Sequence, residues 1–374
     1  LAATSGFTGP GNLTIESSGD DFTADIVTGT HVQLAGTALG NLIIGKTGNT
    51  RQIDLSSDIT TTGTQTYNGP VRLVGGDRTV STTNSNVIFA STVNSDGTQR
   101  ALTVTNGTGD TTFSGAIGGS APVKSLTITS DQLTAGAITL NGALTATLGG
   151  SSSITGVIAN GASTANLVKA GSGTLTLSGA NTYTGTTTIN AGDLTVSGSL
   201  HDSTAVTIAS GADYNVDASD TVASVEGAGD IVIASSQTLT AGDGNDKTLS
   251  GVISGAGNYI KAGSGTQTLS ASNTYTGTTQ VSAGTLTVSG SGRLSDSTAV
   301  TVDSGAVYNV AVSDTVASIA GAGSITLGSN TLTSGGSDAS TTFSGVISGT
   351  NGNIIKAGSG TLTLSGANTY TGTT

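Results

Sequence analysis

Two histidines, His31 and His201, stand alone in this 374-residue sequence, and the repeat position matching His201 holds Ser295. A metal centre needs several ligands at close spacing, so no metal site is expected. The chain has no cysteine, which removes disulfides, zinc fingers, iron–sulfur centres and thiol catalysis. A serine nucleophile needs a paired base, and no G-x-S-x-G elbow has a histidine near it. The carboxylates are the remaining chemistry. Of 23 acids only Glu16 and Glu226 are Glu, leaving 21 Asp. Asp202 and Asp220 recur as Asp296 and Asp314, whereas Asp213, Asp217, Glu226 and Asp230 give way to Val307, Ala311, Ala320 and Ser324. A carboxylate pair for acid–base work would therefore exist in one copy only. The recurring acids each precede Ser or Thr at a strand start and read as turn residues. The run Asp243-Gly-Asn-Asp246 resembles half of a Gly/Asp calcium repeat, but a lone copy has too few oxygens for a 6–8-coordinate ion. The expectation is no enzyme, no cofactor and no metal.

The uncharged candidates recur more faithfully. Asn181, Asn273 and Asn368 share one setting, SGANTY or SASNTY. Asn caps turns with its side-chain amide, and stacked copies can align amides. Tyr183, Tyr275 and Tyr370 follow two positions later, as coil fillers or as a stacking platform for sugars. Gly185, Gly277 and Gly372 close the motif. T-x-T pairs such as Thr174/Thr176 and Thr285/Thr287 raise an ice-binding reading. That reading needs a pair on every coil of one face, and the strongest pairs come about once per repeat. The net charge is 11 − 23 = −12 and aromatics are 3%, the wrong sign and composition for nucleic acid.

These residues must be positioned by strands. Leu175/Leu177, Leu194/Val196, Val206/Ile208, Tyr214/Val216 and Ile231/Ile233 are apolar pairs at i, i+2, punctuated by Gly, Ser, Asn and Asp. Two Glu, no Met and 58 Gly leave little helix propensity. No apolar run is long enough for a helix to span a membrane. The segment 169–187, KAGSGTLTLSGANTYTGTT, returns unchanged at 356–374 and with small changes at 261–279, at spacings of 261 − 169 = 92 and 356 − 261 = 95. Residues 1–150 use a degenerate form of the same vocabulary. The domain reading is 1–150, irregular coils, and 151–374, built of repeats 169–260, 261–355 and a truncated 356–374.

Repeats on this scale mean a solenoid or an array of modules. Sandwich modules want thick cores and discrete linkers, yet the chain has no Trp and 7 Tyr plus 5 Phe. TLTLSG begins at 174 and DLTVSG at 193, a separation close to one coil. The expected fold is all-β, a parallel β-solenoid, with a row of sandwiches as the alternative. At roughly 20–25 residues per coil the chain makes roughly 15–19 coils. Gln267 resists this pattern: it replaces Leu175 at an inward position, which calls for a coil corner or for buried hydrogen-bond partners.

The run Gly-x-L-T-L-S-G-x-N-T-Y-T-G-x-T followed by x-G-x-L-x-V-S-G, complete at 173–198 and near-complete at 265–290 and 360–374, resembles the passenger-associated transport repeat of autotransporters. Stretches within 60–160, QTYNGPVRL and DTTFSGAIGG, look like parts of filamentous-haemagglutinin-type surface proteins. The resemblance implies a single-stranded right-handed β-helix, exported through an outer-membrane β-barrel translocator and displayed on a Gram-negative surface. In that family the repeat assists transport and folding of the passenger. The chain starts at Leu1, carries no signal peptide or barrel of its own and stops inside a repeat, so an internal or processed piece is expected. The functional expectation is a structural and adhesive stalk that attaches to a cell-surface or matrix ligand or associates laterally. The alternatives are a β-helical polysaccharide-binding or polysaccharide-active protein and an ice-binding solenoid.

Overall fold

The computed structural model describes residues 11–19, 21–29 and 39–374; His31 lies outside them. The chain divides into two compact units, Leu1–Gly198 and Ser199–Thr374. Among the described residues every named element is a short β-strand, and none is a helix.

In the first unit, period-two alternation becomes burial directly. Leu126–Ser130 and Ala143–Leu148 each bury every second side chain. Strands pair in parallel with the strand one coil away, in phase. Leu102, Leu126, Leu144 and Leu167 share one register position although they are unevenly spaced along the chain. All four are fully buried, and each such side chain contributes about 1.5–3 kcal/mol. Parallel, in-register stacking also lines up aromatics. The rings of Tyr67 and Phe89 stack at 4.9 Å and those of Phe89 and Phe113 at 4.8 Å, matching the strand spacing of about 4.8 Å.

The second unit repeats the scheme. Thr285, Val307, Ser324 and Val346 occupy one register position, again at uneven intervals of sequence. Each unit is thus a parallel β-solenoid rather than a sandwich, because its strands pair with their counterparts one coil on and in the same direction.

Candidate functional site: the repeated coil module

The most faithfully repeated surface of chemistry is a module at 166–187, 258–279 and 353–374. It begins with an asparagine. Asn166 Oδ1 accepts the Thr186 N–H at 2.9 Å and the Thr186 hydroxyl at 3.2 Å. Asn258 does the same for Thr278, at 2.8 and 2.9 Å, and Asn353 for Thr373, at 2.8 and 3.0 Å. Each bond joins one coil to the next.

Three positions on comes a lysine. Lys169 lies inward in strand Asn166–Ala170 and is fully buried. Its ammonium donates to the carbonyls of Ala170 (3.1 Å), Gly171 (2.9 Å) and, from the following coil, Ala191 (3.0 Å). Lys261 donates likewise to Ala262, Gly263 and Ala283. Lys356 donates to Ala357 and Gly358. An ammonium has three donors, so the cage spends them all at the first two sites. Burial pushes the Lys169 ammonium down to about 8 against the pull of the Asp193 charge. Burial also lowers Lys261, opposed by Asp243 and Asp246.

The second asparagine faces the preceding coil. Asn181 Oδ1 accepts the Ile158 N–H at 2.9 Å, and its amide donates to the Gly179 carbonyl at 3.0 Å. Asn273 accepts from Ile253 at 2.8 Å and donates to Ala271 and Arg293. Asn368 accepts from Ile347 at 2.9 Å. Asn181 and Asn273 are buried, whereas Asn368, in the last coil, is half-buried. Tyr183 and Tyr275 are fully buried, their hydroxyls against Thr187 and Thr279. Tyr370 pairs with Thr374 and is half-buried. The glycine is required by close approach. A Cβ on Gly185 would stand 2.2 Å from the Ala165 carbonyl oxygen and 2.3 Å from Asn166 Oδ1. Gly277 and Gly372 meet Gly257 and Gly352 at 2.1 and 2.2 Å.

The sequence pattern of the passenger-associated-transport-repeat matches residues 167–196, 260–288 and 354–374. The chain carries autotransporter passenger repeats. It is also distantly homologous to the adhesin BmaC autotransporter of Brucella suis biovar 1 (strain 1330), 40% identical over 135 residues. That match covers 34% of this chain and 4% of the relative, so the chain corresponds to a small part of the relative's length. No solved structure matches.

Within the transport repeats the asparagines bond between coils, and the lysines at the first two sites do so through their third carbonyl. The recurring Asn, Lys and Tyr side chains of the module are given to backbone or to a neighbouring hydroxyl, whereas Tyr259, which stands where the first copy has Leu167, is fully buried with no hydroxyl partner among the described residues; none of the fully buried tyrosines offers a ring to a sugar. Sequence reasoning singled out the Asn181, Tyr183 and Gly185 series but passed over Asn166, Asn258 and Asn353 and the lysines. The signal was present: N-x-[VI]-K-A-G-S-G recurs at the same spacings of 92 and 95.

The other candidates scatter. His201 Nδ1 and the Ser203 hydroxyl form a local turn contact at 2.8 Å. Asp202 and Asp296 are exposed in turns. Their recurring partners are not turn residues: Asp220 and Asp314 open strands Asp220–Val222 and Asp314–Val316 and are 5% and 3% exposed. The turn reading failed there because each acid sits two positions before an inward valine, and so shares its phase. Asp213, Asp217 and Asp230 are exposed or half-buried, and Glu226 pairs with Lys247 at 2.7 Å. Asp243 folds back on Asn245, while Asp246 accepts the Thr266 N–H. Among the described residues no group of three His, Cys, Asp or Glu is placed to hold a metal.

Arg72 and Arg100 lie against carboxylates. Arg72 grips Asp54 with Nε at 2.9 Å and a second nitrogen at 2.6 Å, and Arg100 grips Asp96. The T-x-T pairs are arranged differently from their sequence spacing. Thr103/Thr105, Thr127/Thr129 and Thr145/Thr147 stack in register on three successive strands of the first unit, facing outward.

Proposed function

We propose that this chain is a stretch of the extracellular passenger of an autotransporter or related exoprotein, a structural and adhesive β-solenoid displayed at a Gram-negative cell surface. The observation that carries the reading is the three-copy transport repeat, whose Asn residues bond one coil to the next in every copy and whose Gly residues let the coils approach closely. The adhesin name of the relative supports the attachment role. The ligand is a cell-surface or matrix component, with lateral association between copies as a further contact. A β-barrel translocator belongs to the parent protein. The repeats 169–260, 261–355 and 356–374 act as lengthening units following a less regular 1–150 stretch, and no residue acts as a catalyst.

Beads coated with the purified chain test this. Retention on host cells or immobilised matrix proteins, above albumin-coated beads and saturating with coat density, is expected. Absence of retention on every such surface, or hydrolysis of a polysaccharide that a single Asp change abolishes, would refute it. One observation favours a second reading. The T-x-T pairs stack in register on three successive strands as an array of hydroxyls, the arrangement an ordered water or ice surface would require. Inhibition of ice recrystallisation, lost in Thr127→Tyr, would support that reading over adhesion.

A further inference from the structure

The second unit contains two carboxyls that the coil module does not use. Asp220 accepts the Leu200 N–H at 3.2 Å, the Thr221 N–H at 3.0 Å and the Tyr214 hydroxyl at 3.0 Å. Asp314 accepts from Leu294 at 3.2 Å, from Thr315 at 3.0 Å and from the Tyr308 hydroxyl. The two sets are one arrangement in two copies, Asp220, Tyr214 and Leu200 matching Asp314, Tyr308 and Leu294 at a single constant offset. Both tyrosines are fully buried.

Among the described residues neither carboxyl forms an ion pair. The ion pairs of the described residues involve other acids. The charged and titratable groups facing Asp220 are Tyr214 and the like-charged Asp202. Those facing Asp314 are Tyr308, Tyr275 and Arg293, the last too far for an ion pair. A carboxylate removed from water without an opposite charge beside it is disfavoured in its ionised form. A proton would remove that charge.

We propose that the Asp220–Tyr214 and Asp314–Tyr308 pairs are proton-binding sites in the core of the second unit, through which mild acid tightens its coils. Burial pushes both carboxyls up to about 6 from an ordinary 3.8, while their hydrogen bonds pull the other way. The folded chain then binds a proton that the unfolded chain does not hold. Its stabilising effect is complete below about pH 3.8, grows as pH falls through 6 and is gone above it. At pH 5 each site shifts the folding equilibrium about tenfold toward the fold.

The test uses the full chain. Urea unfolding is followed at pH 7.5 and 5.0 for the unaltered protein and for the Asp220→Asn/Asp314→Asn double variant. Other acids, such as Asp96 beside Arg100, are lowered and lose stability in acid, so the difference between the two proteins is the readout. The unaltered protein should gain about a hundredfold more than the variant between the two pH values. Equal pH responses would overturn the proposal. Should the double variant not fold, ¹³C titration of labelled Asp carboxyls in the unaltered chain decides. Two carboxyls titrating near pH 6 are expected, moving higher in Tyr308→Phe and Tyr214→Phe, which remove a donor to the ionised form. Titration of every Asp below about 4.5, or no movement in the Phe variants, would end it.

Discussion

Gly185→Ala adds one methyl where two coils touch. The new carbon would lie 2.2 Å from the Ala165 carbonyl oxygen and 2.3 Å from Asn166 Oδ1. Ordinary contact begins near 3.4 Å, so the coils must separate by about 1 Å locally. Two inter-coil bonds cross this point: Gly185 N–H to Ala165 at 3.0 Å and Thr186 N–H to Asn166 at 2.9 Å. Weakening both costs about 1–2 kcal/mol, at roughly 1 each, and forced overpacking adds about 1–3 kcal/mol. The expected loss is about 2–5 kcal/mol. Gly136 is the internal control, because a Cβ there meets nothing within 4 Å and its φ is not positive. Gly136→Ala should stabilise by about 0.4–1 kcal/mol by restricting the unfolded chain. The chain has no Trp, so far-UV circular dichroism in a urea series is the assay. Gly185→Ala within about 0.5 kcal/mol of the unaltered protein would refute the close-approach account of the third motif residue.

Lys261→Met orphans three carbonyls and Lys356→Met two; unfolding free energies from urea titrations should place the Lys261 variant below the Lys356 variant by about 1–3 kcal/mol. Because burial lowers Lys169 from 10.5 to about 8, the folded protein releases that proton before the unfolded chain does. Stability should therefore rise between about pH 8 and 10.5, and a melting series should show the rise blunted in Lys169→Met. Removing residues 261–355 joins Ile260 to Lys356 and recreates the native Ile-Lys-Ala-Gly-Ser-Gly junction. The product should keep the same dichroism per residue, since a solenoid coil contacts only its neighbours; loss of structure would show that distant contacts hold the unit together.

Most of the architecture was legible from alternation and repetition. Pairs such as Leu175/Leu177 set the inward phase, and the offsets of 92 and 95 marked which residues share a setting. The same phase places Lys169 beside Leu167, Asp220 beside Val222 and Gln267 beside Leu269, all inward. Alternation can say that such a group points into the core, because it is a local property of the pleat. It cannot say what the group will find there. The third carbonyl for Lys169 comes from Ala191, one coil away. Gln267 sits mid-strand in Thr266–Leu269, between Lys247 and Leu286, and its Nε2 has no partner among the described residues, so neither a corner nor a full set of bonds explains it.

Coil length was the other hidden quantity. Thr103, Thr127 and Thr145 are unequally spaced in the sequence, so no fixed period reveals them, yet corner loops absorb the difference and bring them into one register. Local side-chain pattern determined the strands, their inward faces and the equivalence of the repeats. Only the stacked structure decided which strand lies beside which, and hence whether a buried lysine is caged, a recurring aspartate is exposed or entombed, and a scattered threonine pair becomes part of an array. Those outcomes depend on atoms a full coil away along the chain, brought within hydrogen-bonding distance by the turn of the solenoid.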